Sequence, residues 1–215
     1  RHALGGEMLM IICGGSALSR ELERFYWNIG VKIYCGYGLT ECSPVLATNA
    51  PHQHKFESVG KAFPSVKLKI AEDGELLACG VNIMKQYHNN SQKTQEAFVG
   101  EWFKTGDLAQ IDNEGFVKII GRKKEVFKTS NGKFVHPVLL EQKLVQELNF
   151  LVGALVIAEG KNFVSTLLFI DFDLLKNIKN KLKFDGENNQ FFDSIILQNF
   201  ISQKIAIINK KLDNW

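Results

Sequence analysis

Met8-Leu9-Met10-Ile11-Ile12-Cys13, then Gly14-Gly15-Ser16-Ala17-Leu18, then a stretch from Ser19 to about Asn28, then Val31-Lys32-Ile33-Tyr34-Cys35: the reading of this run decides the fold class. The first six residues are apolar without interruption, as expected of a strand buried on both faces. Ser19 can cap a helix that runs to about Asn28, Gly30 ends it, and Val31 to Cys35 reads as a second strand. Strand, helix and strand in so short a span form a βαβ unit, and its crossover implies parallel pairing. The adjacent Gly14 and Gly15 sit between strand and helix, where open α/β sheets bind ligands. A plain tight turn is the other reading of that pair.

Outward from this unit the texture changes twice. Between Ser58 and Gly121 the chain breaks into short alternating segments. Val66-Lys67-Leu68-Lys69-Ile70 alternates and turns at Glu72-Asp73-Gly74, and Phe116-Val117-Lys118-Ile119-Ile120 follows the turn Asp112-Asn113-Glu114-Gly115. This region predicts a small antiparallel barrel or sheet, with one short helix at Gln92 to Phe98. After Arg122, His136-Pro137 opens a helix with proline at its first position and an apolar face of Val138, Leu140, Leu144, Val145 and Leu148. Val152 to Ala158 and Phe163 to Ile170 read as strands joined by Glu159-Gly160-Lys161-Asn162. A single last helix carries Phe191, Phe192, Ile195, Ile196, Phe200, Ile201, Ile205 and Ile208 at helical spacing, favouring a core face over a membrane-surface face. The predicted class is α/β plus α+β. It comprises the edge of a parallel α/β sheet (about 1–50), an antiparallel β-barrel-like subdomain (about 58–122) and a C-terminal α+β domain (123–215).

The 215 residues are 45% hydrophobic and 23% charged, the usual balance of a soluble globular protein. A net charge of +3 suits phosphate-bearing ligands and falls far short of a nucleic-acid footprint. Cys13, Cys35, Cys42 and Cys79 show no CxxC spacing and read as reduced, mostly buried thiols of a cytoplasmic protein. No apolar run is long enough to span a bilayer, no signal peptide opens the chain, and Arg1 reads as a boundary. His52-Gln53-His54 lacks a third ligand in view and reads as an exposed loop; His88 and His136 are isolated.

Three segments carry chemistry. Tyr37-Gly38-Leu39-Thr40-Glu41 offers a hydroxyl and a carboxylate beside glycines, and Trp102-Phe103-Lys104-Thr105-Gly106-Asp107 a carboxylate after a glycine turn. Gly121-Arg122-Lys123-Lys124-Glu125, running on to Thr129-Ser130-Asn131-Gly132-Lys133, offers a dense set of cations. Singly, each has a bland reading: a strand-end turn with a solvated Glu41, a hairpin turn at Asp107 and a solvated basic face. Their order and spacing together resemble the back part of an acyl-CoA synthetase of the adenylate-forming (ANL) superfamily, most similar to the long-chain fatty acid–CoA ligases.

The resemblance implies a reaction and a set of roles. Fatty acid, ATP and CoA would give acyl-CoA, AMP and pyrophosphate through an acyl-adenylate, with Mg²⁺ at the phosphates. Thr40 would meet the α-phosphate, Glu41 the metal, and the Tyr37 ring would stack on adenine, with Gly36 and Gly38 allowing close backbone approach. Gly14, Gly15, Ser16 and Ala17 would line the adenine pocket, and Cys35 departs from the polar residue common there. Asp107 would accept from both ribose hydroxyls, and the planar fork of Arg122 would reach ribose and phosphate. Lys124 falls on the hinge about which such enzymes rotate their C-terminal domain between half-reactions. Lys128 aligns with a lysine used in the second conformation, and Gly132 lies in the loop that approaches the pantetheine arm, where Asn131 replaces a usual glycine.

The family's phosphate loop, most of its acyl tunnel and its terminal lysine would lie outside 1–215, and that lysine's role is not assigned to Lys210 or Lys211. The chain as given is therefore expected not to adenylate efficiently, and acyl length is not legible. Three other readings stay open: an enzyme that loads carrier proteins or stops at the adenylate, a non-catalytic nucleotide-binding module, and a peripheral membrane protein acting through the last helix. A position at the inner membrane face and self-association through the exposed βαβ edge are left open with them.

Overall fold

The computed structural model describes residues 5–130, 132, 134–157 and 161–212, which fall into two compact units, 1–123 and 124–215. Asn131 and Lys133 of the basic loop, Ala158 of the expected strand and Glu159 and Gly160 of its turn lie outside the described residues. So do Arg1 and the last three positions, Asp213, Asn214 and Trp215.

The first unit opens with β1 (Ile11–Cys13), α1 (Arg20–Asn28) and β2 (Ile33–Gly38), and β1 pairs with β2 in parallel, Ile11 opposite Ile33 and Cys13 opposite Cys35. Ser19 caps α1 as its position suggests, its hydroxyl accepting from the Leu22 N–H at 3.2 Å. β3 (Val45–Thr48) and β4 (Lys61–Ala62) extend the sheet on the far side of β2 by antiparallel pairing, in the order β1-β2-β3-β4. The expected burial of the first apolar run on both faces fails. β1 is the sheet edge, and Leu9 and Ile12 are 85% and 71% exposed. The strand is also shorter than its apolar run.

A second, antiparallel sheet follows. It contains β5 (Val66–Ile70), β6 (Glu75–Gly80), β7 (Phe98–Val99), β8 (Trp102–Ile111) and β9 (Val117–Arg122), ordered β5-β6-β8-β7 with β9 also on β8. The short helix α2 (Ser91–Ala97) is capped by Asn90. Leu46, Ala78 and Phe103 form one buried cluster and Leu76, Ala109 and Val117 another. Each leucine, valine or phenylalanine among them contributes up to about 1.5–3 kcal/mol by leaving water.

Two expectations for this unit are corrected. His54 is not in a solvated loop. Its Nε2 lies 2.9 Å from the buried Glu23 carboxylate, its ring stacks on Trp27 at 4.1 Å, and Phe56 meets it edge-on. Of the cysteines only Cys42 is buried; Cys13, Cys35 and Cys79 are half-buried.

In the second unit β10 (Phe127–Lys128) pairs with β11 (Phe134–Val135), and α3 (Pro137–Glu147) packs on the antiparallel hairpin β12 (Leu151–Ile157) and β13 (Ser165–Ile170). α4 (Phe172–Lys181), capped by Asp171, and α5 (Asn188–Phe192) lead to α6 (Ile195–Leu212). The single last helix expected from Phe191 onward is therefore two. Ser194 makes the break: its hydroxyl donates to the Phe191 carbonyl at 2.7 Å and accepts from Leu197 N–H at 3.2 Å, capping α6. Most of the apolar stripe faces a core: Phe191 and Ile208 are buried with Leu144, Leu148, Phe150, Leu175, Ile178 and Leu197, and Phe192, Phe200, Ile201 and Ile205 pack against them. Ile195 and Ile196, expected on the same face, are instead exposed, because they form the first turn after the break. Among the described residues no helix is long and apolar enough to cross a membrane.

Candidate functional site

In the first unit Tyr37, Asp107 and Arg122 are brought together, Asp107 and Arg122 by strand register and Tyr37 by a hydrogen bond from the other sheet. β8 leaves the regular ladder where it passes β6: Glu75 pairs with Leu108 and Leu77 with Lys104, so Thr105, Gly106 and Asp107 face the single residue Leu76. The bulge turns Asp107 inward, to 3% exposure, and Gly106 takes a positive φ of 74° there. On the other side of β8, Asp107 pairs in register with Arg122 of β9.

Asp107 is held from both sides. The Tyr37 hydroxyl donates to its Oδ2 at 2.5 Å, and Arg122 Nε lies 2.9 Å from its Oδ1. Each carboxylate oxygen has about two lone pairs, so each can accept one more hydrogen bond. Burial raises the Asp107 pKa above the usual carboxylate range; the Tyr37 hydrogen bond and Arg122 pull it down, and Glu75 raises it further. Burial, followed by the same hydrogen bond, raises the Tyr37 pKa as well, so its phenol stays a neutral donor. The Arg122 side chain remains 55% exposed, leaving its outer nitrogens to solvent or ligand.

β2 carries the site onward. Gly38 ends it where a Cβ would come within 1.7 Å of the Pro44 carbonyl oxygen, so only glycine fits. The chain then closes a 3-10 turn, Thr40–Cys42, that leaves Thr40 exposed and Glu41 half-buried. This turn is fastened by the connection after β6. Met84 N–H donates to the Glu41 carbonyl at 2.7 Å, Asn82 Nδ2 to the Cys42 and Val45 carbonyls at 2.7 and 2.8 Å, and the Tyr87 hydroxyl to Glu41 Oε1 at 3.0 Å. Sequence reading missed Tyr87 and Asn82, which lie far along the chain without a motif of their own.

Gly14, Gly15, Ser16 and Ala17 are exposed at the C-terminal end of β1, and a Cβ on Gly14 would lie 3.3 Å from the Gly36 carbonyl of β2. Gly36 directly precedes Tyr37, so the glycine loop and the tyrosine segment border the same end of the parallel pair. Burial raises the Cys35 pKa to about 12, with smaller contributions from Glu23 and Cys13, so this thiol is neutral.

A hard cation is compatible with Glu41. One phenol donor leaves most of the carboxylate's lone pairs available. Among the described residues no three His, Cys, Asp or Glu side chains converge, so water and ligand oxygens would complete the shell, as Mg²⁺ prefers.

The remaining positions belong to the second unit. Lys124 is its first residue and is exposed within a 3-10 turn, Lys123–Glu125. Lys128 and Gly132 are neighbours there: Lys128 lies on β10 with its ammonium over the Phe134 ring at 5.5 Å, and Gly132 has φ +87° and a Cβ direction aimed at Lys128 Cε, 3.7 Å away.

Residues 1–88 match the family model described as AMP-binding enzyme. The chain is 41% identical over 181 residues to long-chain-fatty-acid–CoA ligase FadD15 of Mycobacterium bovis, covering 84% of this chain and 30% of that protein. It is 33% identical over 161 residues to human long-chain-fatty-acid–CoA ligase ACSBG1, covering 72% of this chain and 22% of that one. The chain thus spans less than a third of these curated relatives. Among solved structures, o-succinylbenzoate CoA synthetase of Bacillus subtilis with its acyl-adenylate intermediate aligns with a TM-score of 0.71 at 27% identity, covering 81% of this chain and 40% of that one. The same enzyme with AMP aligns with a TM-score of 0.68, again at 27% identity, over 75% of this chain and 36% of that one.

Proposed function

Because this chain belongs to the AMP-binding enzymes of the adenylate-forming superfamily, we propose that it is the nucleotide-handling part of a long-chain fatty acid–CoA ligase. In the first half-reaction a fatty-acid carboxylate oxygen attacks the α-phosphorus of ATP and the bond to pyrophosphate breaks, giving an acyl-adenylate. In the second, the CoA thiol loses its proton and attacks the acyl carbonyl, and AMP leaves.

The roles follow from charge and reach. Asp107 accepts from the two ribose hydroxyls while Tyr37 and Arg122 keep it fixed, so the sugar is bound without a mobile carboxylate opposing the phosphates. Arg122 turns its exposed nitrogens to ribose and phosphate. Thr40 donates to the α-phosphate, where negative charge builds as the fifth oxygen arrives. Glu41, oriented by Tyr87, would hold Mg²⁺, whose charge would neutralise the phosphates when bound. Adenine lies against Gly14, Gly15, Ser16 and Ala17 with the Tyr37 ring on its face. Tyr37 can stack and donate at once, because its hydroxyl leaves the ring edge. Lys124 is the hinge, and Lys128 and Gly132 serve the thioester half-reaction.

The observation that carries this reading is the convergence of Tyr37 and Arg122 on the buried Asp107 carboxylate, the three residues coming from three separate segments. Its test is fatty-acid-dependent exchange of pyrophosphate into ATP by the full-length protein, followed by acyl transfer to CoA or to a pantetheinylated carrier protein. Exchange with transfer to CoA is expected. Transfer to the carrier protein alone would move the enzyme to the acyl-loading class, and absence of exchange would contradict adenylation.

A further inference from the structure

Glu75 is 5% exposed, and its two oxygens serve two different segments. Oε1 accepts from the Gly106 N–H at 2.9 Å, inside the β8 bulge and one residue before Asp107. Oε2 accepts from Lys123 Nζ at 2.7 Å, and that ammonium also meets Asp73 at 2.5 Å.

The bulge explains why an acceptor is needed. Three residues facing one leave the Gly106 N–H outside the ladder, and an N–H turned from solvent requires a partner. A neutral oxygen would satisfy it. A carboxylate in that position is costly unless a cation matches it, and Lys123 does. The adjacent residues Arg122 and Lys123 thus serve different carboxylates, Arg122 that of Asp107 and Lys123 those of Glu75 and Asp73.

We propose that Glu75, paired with Lys123, is a positioning residue for nucleotide recognition: it closes the β8 bulge in the shape that presents Asp107. This rests on Asp107 being the ribose acceptor. Glu75 touches no ligand itself. Its removal loosens the turn at Gly106 and lets the Asp107 carboxylate drift from the sugar, while base and phosphate contacts persist.

The readout is discrimination between ATP and 2′,3′-dideoxy-ATP by the full-length protein, measured as the ratio of their dissociation constants. A charged acceptor on a ribose hydroxyl gives the unsubstituted protein a preference of roughly ten- to a hundredfold. Glu75→Ala is expected to lower that ratio about tenfold while changing dideoxy-ATP affinity little, and Glu75→Gln, which keeps an acceptor for Gly106, to recover part of it. Lys123→Met is expected to lower the ratio and Lys123→Arg to restore it. A full ratio retained in Glu75→Ala, with both nucleotides weakened equally, overturns the positioning role. Should Glu75→Ala fail to fold, the Lys123 pair decides, and an unchanged ratio in Lys123→Met overturns it. A ratio near one in the unsubstituted protein would instead overturn the ribose reading, and the positioning role with it.

Discussion

Asp107 is ionised at the expense of the fold. Burial raises its pKa in the native state despite Tyr37 and Arg122, so the native state binds its proton more tightly than the unfolded chain does. Its contribution to stability is therefore full below the unfolded carboxylate value and is lost as pH rises through the native one. Asp107→Asn is expected to raise the melting temperature at pH 7 by roughly 2–4 °C, with the gain vanishing near pH 3, while nucleotide affinity falls. Calorimetric melts at the two pH values check the sign; a lower melting temperature at pH 7 would mean that the Arg122 pair outweighs burial. Gly38 is constrained by space rather than by charge. A methyl there meets the Pro44 carbonyl at 1.7 Å, so Gly38→Ala is expected to cost about 1–3 kcal/mol in urea denaturation and to displace Thr40 and Glu41.

At the scale of elements, the connection after β6 acts as a brace for the Thr40–Cys42 turn, through Asn82, Met84 and Tyr87. Tyr87→Phe is expected to weaken Mn²⁺ binding, read by paramagnetic resonance with ATP present, about tenfold without moving the melting temperature. Unchanged metal affinity would show that Glu41 needs no such support. Legibility also divides at this scale. β5 could be read because its apolar residues alternate against lysines, and β9 because an apolar segment follows the turn Asp112-Asn113-Glu114-Gly115. β8 was read only as a turn segment because its inward positions, Phe103, Thr105, Asp107 and Ala109, include two polar residues that erase the pattern. Thr105 and Asp107 belong to the candidate site, so the polar residues that mark it also hide the strand. The α5–α6 break was hidden for a different reason: Phe and Ile continue at helical spacing across it, and only Ser194 marks the cap. His54 looked solvated because its partner, Glu23, lies on another element. Motif residues were visible one by one, whereas the Asp107–Arg122 register and the Glu75 contacts depend on strand pairing that no local pattern reports.

For the whole molecule, the division falls between Lys123 and Lys124, with the Tyr37, Asp107 and Arg122 set in the first unit and Lys128 and Gly132 in the second. If Lys124 is the hinge, fixing its backbone with Lys124→Pro should leave pyrophosphate exchange within about twofold and slow CoA acylation by roughly a hundredfold in the full-length protein. Equal loss of both half-reactions would assign Lys124 a structural part only. Calorimetric titration of the full-length protein with AMP, beside its Asp107→Ala variant, decides whether Asp107 is a nucleotide-binding carboxylate. Saturable AMP binding is expected, weakened at least tenfold in the variant while the melt remains cooperative. Equal affinity for AMP in both proteins would contradict it.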